Sequence, residues 1–212
     1  MDYLRNDLRL TAVKDGCSQG ACGTCSIIID GRVMRSCVLK VSRCEGKKIV
    51  TVEGLSERER EVYSYAFAKC GAVQCGFCIP GMVISAKALI DVNNDPTRDD
   101  VKKAIRGNIC RCTGYVKIED AILLAAKMFR NNEEIPENES SVRIGESILR
   151  IDAREKVLGE ADYVDDILVE GMVYGKAIRP PYARCKVLSI HKEKALQLDG
   201  VIGVYTAEDI PG

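Results

Sequence analysis

Apolar residues in the first part of the chain follow a pattern that predicts a hairpin. Residues 26–30 form a short β-branched run that ends at Asp30-Gly31, a pair typical of tight turns between antiparallel strands. The turn would return the chain toward Cys37. We therefore predict two antiparallel strands in this region.

The middle of the chain shows helical periodicity instead. Ser56 with Glu59, and Thr97 with Asp100, have the spacing of capping boxes that begin helices. Pro80 suits the first turn of another helix. Apolar residues spaced three to four apart mark two helix faces, one formed by Met82, Val83, Ala86, Leu89 and Ile90 and the other by Ile118, Ala121, Ile122, Ala125, Ala126 and Phe129. Four helices with short connections favour a small bundle.

The last part of the chain begins with a polar segment. Residues 131–141 are acidic and almost free of apolar side chains, which is typical of a linker. Beyond them the pattern predicts strands at 172–178, 185–190 and 201–205 and a short helix at 193–198. This part is therefore predicted to be α+β.

Composition narrows the class of protein. Charged residues make up 29% of the 212 positions, and the formal net charge is zero. No apolar run approaches the roughly 20 residues that a membrane span requires, and no secretory signal opens the chain. Without a basic stripe there is nothing to attract nucleic acid or an anionic membrane. We expect a cytoplasmic protein with neither kind of partner.

Eight of the eleven cysteines fall into two sets of four. The first set has the spacing C-x4-C-x2-C followed by one more cysteine, which is the plant-type spacing for a [2Fe–2S] cluster. Its members are Cys17, Cys22, Cys25 and Cys37. Gly16, Gly20 and Gly23 on the same loop would let the backbone bend tightly around a cluster.

The second set consists of two short clips separated by the predicted helices. Its members are Cys75, Cys78, Cys110 and Cys112. Both clips lie beside helix ends, where unpaired N–H groups and the helix dipole favour an anionic group. Four cysteines in two clips could also hold a structural zinc ion, although the neighbouring plant-type loop favours iron.

The remaining candidate residues have simpler explanations. Disulfides are disfavoured in a cytoplasmic chain with this clip spacing. Cys44, Cys70 and Cys185 are therefore expected to be free thiols without a role, and His191 is expected to be a surface residue.

Two segments around the second set carry a family resemblance. The sequences QCGFCIPGM at 74–82 and GNICRCTGY at 107–115 resemble the iron–sulfur portion of the molybdenum hydroxylases, the xanthine dehydrogenase and aldehyde oxidoreductase family. Segments 152–159, 163–166 and 206–211 resemble the opening of the large, molybdenum-binding part of the same family.

The resemblance implies an α+β fold in successive parts. Residues 1–55 would form a plant-type ferredoxin-like (β-grasp) domain, and residues 56–130 a four-helix iron–sulfur bundle. The linker at 131–141 would lead to residues 142–212, an incomplete α/β hammerhead-like domain of the molybdenum-binding part. Relatives begin with a further β-hairpin, so we expect that hairpin to be missing from the first domain.

The resemblance also implies a role in an enzyme. In relatives, substrate is hydroxylated at a molybdenum centre with oxygen from water, and electrons leave singly through the second set's cluster and then the first set's cluster. Gln74 and Cys112 match positions that lie against the pterin of the molybdopterin cofactor. We expect no catalytic residue of the molybdenum site in this chain.

The order of the parts implies the partners. Many relatives carry a flavin domain between the iron–sulfur region and the molybdenum region, and the linker at 131–141 is too short to hold one. FAD would therefore lie on a separate subunit. The molybdenum-binding region would lie in the same or a separate chain. The amino-acid sequence of the segments that flank the linker favours a purine such as xanthine as substrate, as in selenium-dependent xanthine dehydrogenases. An aldehyde oxidoreductase and a freestanding iron–sulfur electron carrier are the alternatives.

Overall fold

The computed structural model of the protein describes residues 1–136, 144–146 and 148–211. By their internal contacts, the residues form two compact units, Met1–Ile167 and Leu168–Gly212. Each unit is described separately below.

The predicted linker at 131–141 lies only partly within the described residues. Asn131 is the last residue of a helix, residues 133–136 have no regular structure, and residues 137–141 lie outside the described part of the chain. The domain boundaries predicted at residues 55, 130 and 141 therefore stay predictions.

The first unit contains a small antiparallel sheet. Its strands are β1 (Ser26–Ile29), β2 (Arg32–Arg35) and β3 (Ile49–Val50), in the spatial order β2-β1-β3. Asp30 and Gly31, which join β1 to β2, have φ values of 47° and 81°. Two left-handed residues in succession are what a tight hairpin turn requires. The predicted hairpin is confirmed.

Strand β1 lies between two apolar cores, and all four of its residues are buried. Ile28 packs into a large core with the helices, whereas Ile27 and Ile29 pack into a smaller core near the N-terminus. Successive side chains of a strand point to opposite faces, so one strand joins both cores. The smaller core also includes Leu4, Val13 and Cys25.

Four helices follow the sheet, at the positions that the sequence predicted. They are α1 (Glu57–Lys69), α2 (Ile79–Ile90), α3 (Arg98–Ile105) and α4 (Val116–Asn131). Their apolar faces enclose the large core, in which the largest buried side chains include Tyr63, Phe67, Ile79, Met82, Ile118 and Ile122.

A fifth helix returns to the same core. Helix α5 (Ala153–Leu158) packs against α1 and α2, and Val157 and Leu158 are fully buried there. Residues 153–167 thus belong to the first unit. Among the described residues, no helix is long and apolar enough to cross a membrane.

The strands predicted at 172–178, 185–190 and 201–205 are wrong. No backbone ladder forms in these segments, and no described residue from 168 to 211 is buried. A strand exists only where its backbone pairs with a neighbouring strand, and an apolar pattern cannot supply that partner. The helix predicted at 193–198 is present but shorter, as α6 (Glu193–Leu196).

Both predicted capping boxes are present. In α3, Thr97 Oγ1 accepts the N–H of Asp100 at 3.2 Å, and Asp100 Oδ2 accepts the N–H of Thr97 at 3.0 Å. We expect Thr97→Ala to lower the free energy of unfolding by about 1 kcal/mol, because it orphans a helix N–H group. Urea denaturation measures the loss. The exposed Ser42 serves as a control, and Ser42→Ala should change the value by less than about 0.5 kcal/mol.

Candidate metal centres

The structure brings the four cysteines of the first set together. Cys17, Cys22 and Cys25 lie on the loop before β1, and Cys37 lies in a 3₁₀ turn directly after β2. Burial and the neighbouring thiols of Cys25 and Cys17 raise the pKa of Cys37, although the N–H of Gly20 acts in the opposite direction. The hairpin therefore returns Cys37 to the loop, as predicted.

Backbone amides of this loop point at the sulfur of Cys17. The N–H groups of Cys22 and Gln19 donate to Cys17 Sγ at 3.4 and 3.5 Å. With the N–H of Cys22 as the largest cause, these bonds lower the pKa of Cys17 to about 6. The thiolate is the form of cysteine that binds metal, so the loop favours that form.

Glycines at two of the three predicted positions have backbone angles that side chains avoid. Gly20 and Gly23 both have a φ of 72°. At Gly16 the constraint is contact instead, because a Cβ atom would lie 2.8 Å from Thr24 Oγ1 and 3.0 Å from Cys22 Sγ. The loop therefore has little space for side chains at these positions.

The second set forms two pairs of thiols. Cys75 Sγ and Cys112 Sγ are 3.6 Å apart. Cys78, at the N-terminus of α2, is buried and hydrogen-bonded to Cys110. Burial, followed by the nearby Cys110, raises the pKa of Cys78 well above the ordinary value. Each clip thus contributes one cysteine to each pair.

The turn that carries the second clip is held by its own side chains. Cys110 N–H donates to Tyr115 Oη at 2.9 Å, and Cys110 Sγ lies 3.2 Å from Thr113 Oγ1. Burial raises the pKa of Cys110, but the hydrogen bonds from Thr113 outweigh it, so the net shift is downward. Thr113 and Tyr115 are not among the residues that the sequence singles out, although both lie within the segment 107–115 that carries the family resemblance.

The pairwise arrangement bears on which metal could bind. Within the described residues, no group of three or more His, Cys, Asp or Glu side chains is arranged to hold a single metal ion. A zinc site places its ligands around one point, whereas the four cysteines of a [2Fe–2S] cluster divide between two irons. Paired thiols, backbone N–H donors and a glycine-rich loop fit the second kind of centre.

The two cysteine loops are in direct contact. The N–H of Ile109, next to Cys110, donates to the carbonyl oxygen of Cys22 at 2.8 Å. The side chain of Asn108, only 4% exposed, donates to Gly23 O at 2.9 Å and accepts from Ser85 Oγ at 2.8 Å. Asn108 was missed because its partners lie far away in the sequence.

Arg35 forms a second bridge between the loops. Its guanidinium donates to Gly20 O at 2.5 Å and to Gly107 O at 3.1 Å. One residue of the hairpin therefore contacts the backbone beside each cysteine set. The spacing between the two sets is fixed by several independent hydrogen bonds.

A substitution at Gly23 tests how closely the two cysteine loops must approach each other. A Cβ atom at this position would lie 2.2 Å from the carbonyl oxygen of Gly107. We expect Gly23→Ala to lower the free energy of unfolding by about 2 to 4 kcal/mol, from the clash and the left-handed backbone together. Urea denaturation of the anaerobic protein measures this.

The matched control is Gly31→Ala in the hairpin turn, where φ is also positive but no atom lies within 4 Å of the added Cβ. It should cost about 1 kcal/mol, from the backbone alone. Equal losses at the two positions would contradict a tight contact between the loops.

One edge of the second set faces outward. Gln74, Cys75 and Cys112 are exposed, whereas Cys78 is buried and Cys110 is half-buried. The exposed pair and Gln74 therefore lie on the side away from the large core. All eleven cysteines are free thiols, and Cys185 and His191 are exposed.

Comparison with known families identifies two parts of the chain. A family model described as a [2Fe-2S] binding domain matches residues 51–123, which include the whole second set. A model described as the aldehyde oxidase and xanthine dehydrogenase a/b hammerhead domain matches residues 158–212. The chain therefore contains a [2Fe–2S] binding domain and a hammerhead segment, as the resemblance implied.

This chain spans different shares of two curated relatives. An aldehyde oxidoreductase of Megalodesulfovibrio gigas is 37% identical over 100% of this chain, which spans 25% of that protein. The nicotinate dehydrogenase small FeS subunit of Eubacterium barkeri is 43% identical over 62% of this chain, which spans 84% of that subunit.

A solved structure of an aldehyde oxidoreductase from Desulfovibrio gigas, activated with sodium dithionite and sodium sulfide, superposes with a TM-score of 0.71 at 41% identity. The match covers 78% of this chain and 19% of that one. It confirms the α+β class and the likeness to the iron–sulfur part of such enzymes. The chain belongs to the molybdenum hydroxylases, the family of the aldehyde oxidases and xanthine dehydrogenases.

Proposed function

We propose that each cysteine set holds one [2Fe–2S] cluster and that the chain is the electron-transfer portion of a molybdenum-containing hydroxylase. Electrons would pass from a molybdopterin centre to the second set, then to the first set, and finally to a flavin subunit or another acceptor. The hydrogen bond from Ile109 N–H to Cys22 O, at 2.8 Å, carries this proposal.

That bond matters because it joins the backbone of one proposed ligand to the residue next to another. Cys22 belongs to the first set, and Ile109 directly precedes Cys110 of the second. A single hydrogen bond therefore connects the two sites through the protein. The buried Asn108 and the close approach of Gly23 to Gly107 also hold the two loops together beside this bond.

The chain's own residues supply what an iron–sulfur cluster needs. When bound, such clusters exchange electrons at potentials set by hydrogen bonds, charge and burial. N–H groups of Gln19, Gly20 and Cys22 point at sulfurs of the first set. In the second set, α2 begins at Ile79, directly after Cys78, so the positive end of its dipole lies beside the buried ligand.

The exposed edge of the second set supports the proposed direction. Gln74 and Cys112 are the residues proposed to lie against the pterin, and both are exposed on the same edge as Cys75. A partner surface could therefore reach this pair of thiols without moving the helices. Cys110 and Cys78 face inward, and Cys110 adjoins the contact with the first set.

The finer architecture follows the same proposal. The three-stranded sheet and the cysteine loop before it would belong to the plant-type ferredoxin-like domain. Residues 158–212, which match the hammerhead domain, would join the molybdenum-binding region, and their exposed apolar side chains would be covered there. The two family matches lie close together in the chain, so FAD would belong to a separate subunit.

We infer that the whole enzyme oxidises an aldehyde. The observation is that a relative 37% identical over 100% of this chain is named an aldehyde oxidoreductase. A purine such as xanthine is the second candidate. Assays of the complete enzyme with benzaldehyde and with xanthine separate the two, and turnover of xanthine alone would overturn the aldehyde proposal.

A redox measurement tests the electron-transfer proposal. The anaerobically purified chain is reduced with dithionite, desalted and mixed with oxidised cytochrome c. We expect delivery of about two electrons per chain, one from each cluster. The Cys185→Ser variant, altered at an exposed cysteine without a proposed role, should deliver the same number. A colourless chain that delivers none and carries zinc would overturn the proposal.

A further inference from the structure

Helix α5 and the residues after it cover the turn that carries Cys75. A Cβ atom at Gly76 would lie 2.7 Å from Lys156 Cβ and 2.9 Å from Tyr163 Oη. The Tyr163 ring also packs edge-on against Phe77, with 5.1 Å between the ring centroids. Gly76 therefore has no space for a side chain beneath Lys156 and Tyr163.

Both covering side chains donate to the carbonyl oxygen of Cys75. Tyr163 Oη lies 2.8 Å from this oxygen, and Lys156 Nζ lies 3.4 Å from it. The ammonium group of Lys156 also lies 5.6 Å from the centre of the Tyr163 ring. A positive charge thus contacts the backbone of a proposed ligand residue.

The charges around Lys156 do not cancel at this turn. Asp152 Oδ2 lies 3.5 Å from Lys156 Nζ, but the same carboxylate also pairs with Arg150. Two cations therefore share one anion beside Cys75. The side chain of Lys156 is 17% exposed, so solvent screens its charge only in part.

The cations near the first cysteine set do not distinguish it from the second. Arg35 donates to Gly20 O beside the first set and to Gly107 O near the second, so its charge favours neither. Lys14, three residues before Cys17, is paired with Asp166 at 3.1 Å. Asp15 lies still closer to Cys17 and accepts hydrogen bonds from Ser18. The charge of Lys156 therefore acts mainly on the second set, because Lys156 contacts the backbone of Cys75.

We propose that Lys156, positioned by Tyr163, raises the reduction potential of the cluster at Cys75, Cys78, Cys110 and Cys112 relative to the other cluster. This inference rests on the proposed function. An added electron makes a bound cluster more negative, so a nearby fixed cation favours the reduced form. Lys156 would thereby make the second set a better first acceptor for electrons.

The test is an EPR-monitored redox titration of the full, cluster-loaded chain. In Lys156→Met, which keeps length but removes charge, we expect the ratio of reduced to oxidised second cluster to fall about three- to tenfold at a fixed potential, a tenfold change being 59 mV for one electron. The first cluster should not change. Lys156→Arg keeps the charge and should restore the wild-type value.

A second variant predicts a shift of opposite sign. Asp152→Asn removes the anion between Lys156 and Arg150, and we expect it to raise the reduced fraction of the second cluster. A purely structural role for this helix would not produce shifts of opposite direction. The signal that disappears in a Cys78→Ser chain identifies the second cluster.

The outcomes separate this inference from the function on which it rests. Two clusters with potentials unchanged in both Lys156→Met and Asp152→Asn would overturn the inference and leave the proposed function intact. Shifts of equal size in both clusters would also overturn it, because the effect would not be selective. Absence of any iron–sulfur signal in the wild-type chain would overturn both.

Discussion

Replacing Cys78 by serine is expected to remove one iron–sulfur signal and leave the other in place. The Cys78 thiol is 7% exposed and pairs with Cys110, so its loss opens the buried side of the second set. The first set takes all four of its thiols from residues 17–37 and should keep its cluster. Iron should fall from about four to about two atoms per chain.

The measurement combines iron analysis with the EPR spectrum of the reduced protein. Cys70→Ser is the control, because Cys70 is also partly buried in the helical part of the chain but belongs to neither set. It should keep both signals. Loss of both signals in Cys78→Ser would contradict two independent sites, and retention of both would show that Cys78 is not a ligand.

The second large effect is expected at Asp166. Its carboxylate lies 2.7 Å from Arg5 Nη2 and 3.1 Å from Lys14 Nζ, and the Lys14 side chain is only 1% exposed. Asp166→Asn would leave Lys14 as a buried charge without a counter-ion. We expect the free energy of unfolding to fall by about 3 to 5 kcal/mol.

An exposed ion pair provides the control. Arg98 Nη2 and Asp120 Oδ1 are 2.6 Å apart, with side chains 44% and 43% exposed. Asp120→Asn should cost less than about 1 kcal/mol, because water already solvates both charges. Urea denaturation of the anaerobic protein measures the loss of unfolding free energy in Asp166→Asn and in Asp120→Asn. Similar losses would mean that the Asp166 pair is not buried in solution.

The interaction of Asp166 with Arg5 and Lys14 also predicts how the stability of the fold depends on pH. Burial raises the pKa of Asp166, but hydrogen bonds from Arg5 and Lys14 outweigh it and hold the pKa below the ordinary 3.8. A carboxyl with a depressed pKa in the folded state stabilises the fold above its ordinary pKa, and the contribution is lost as the pH falls through the depressed value. The difference between wild type and Asp166→Asn should therefore be constant near neutral pH and shrink below pH 3.8.

Features set by neighbouring residues were predictable from the sequence. The hairpin depends on Asp30-Gly31, and the starts of α1 and α3 depend on caps three residues apart. Each is decided by contacts within a few positions. The two cysteine sets were equally visible, because their spacing is local within each loop or clip.

Features that need a distant partner were not predictable. Asn108 contacts Gly23, and Tyr163 contacts Cys75, across 85 and 88 positions. The strands predicted beyond residue 168 failed for the same reason, since an apolar pattern does not show which strand will pair with it. The link between the cysteine sets, which carries the proposed function, is of this distant kind.

The most direct measurement is the iron, sulfide and zinc content of the anaerobically purified chain, together with its EPR spectrum after reduction. The account predicts about four irons and four sulfides per chain and two distinct signals. About two irons with a single signal, or zinc in place of iron, would contradict two linked [2Fe–2S] sites.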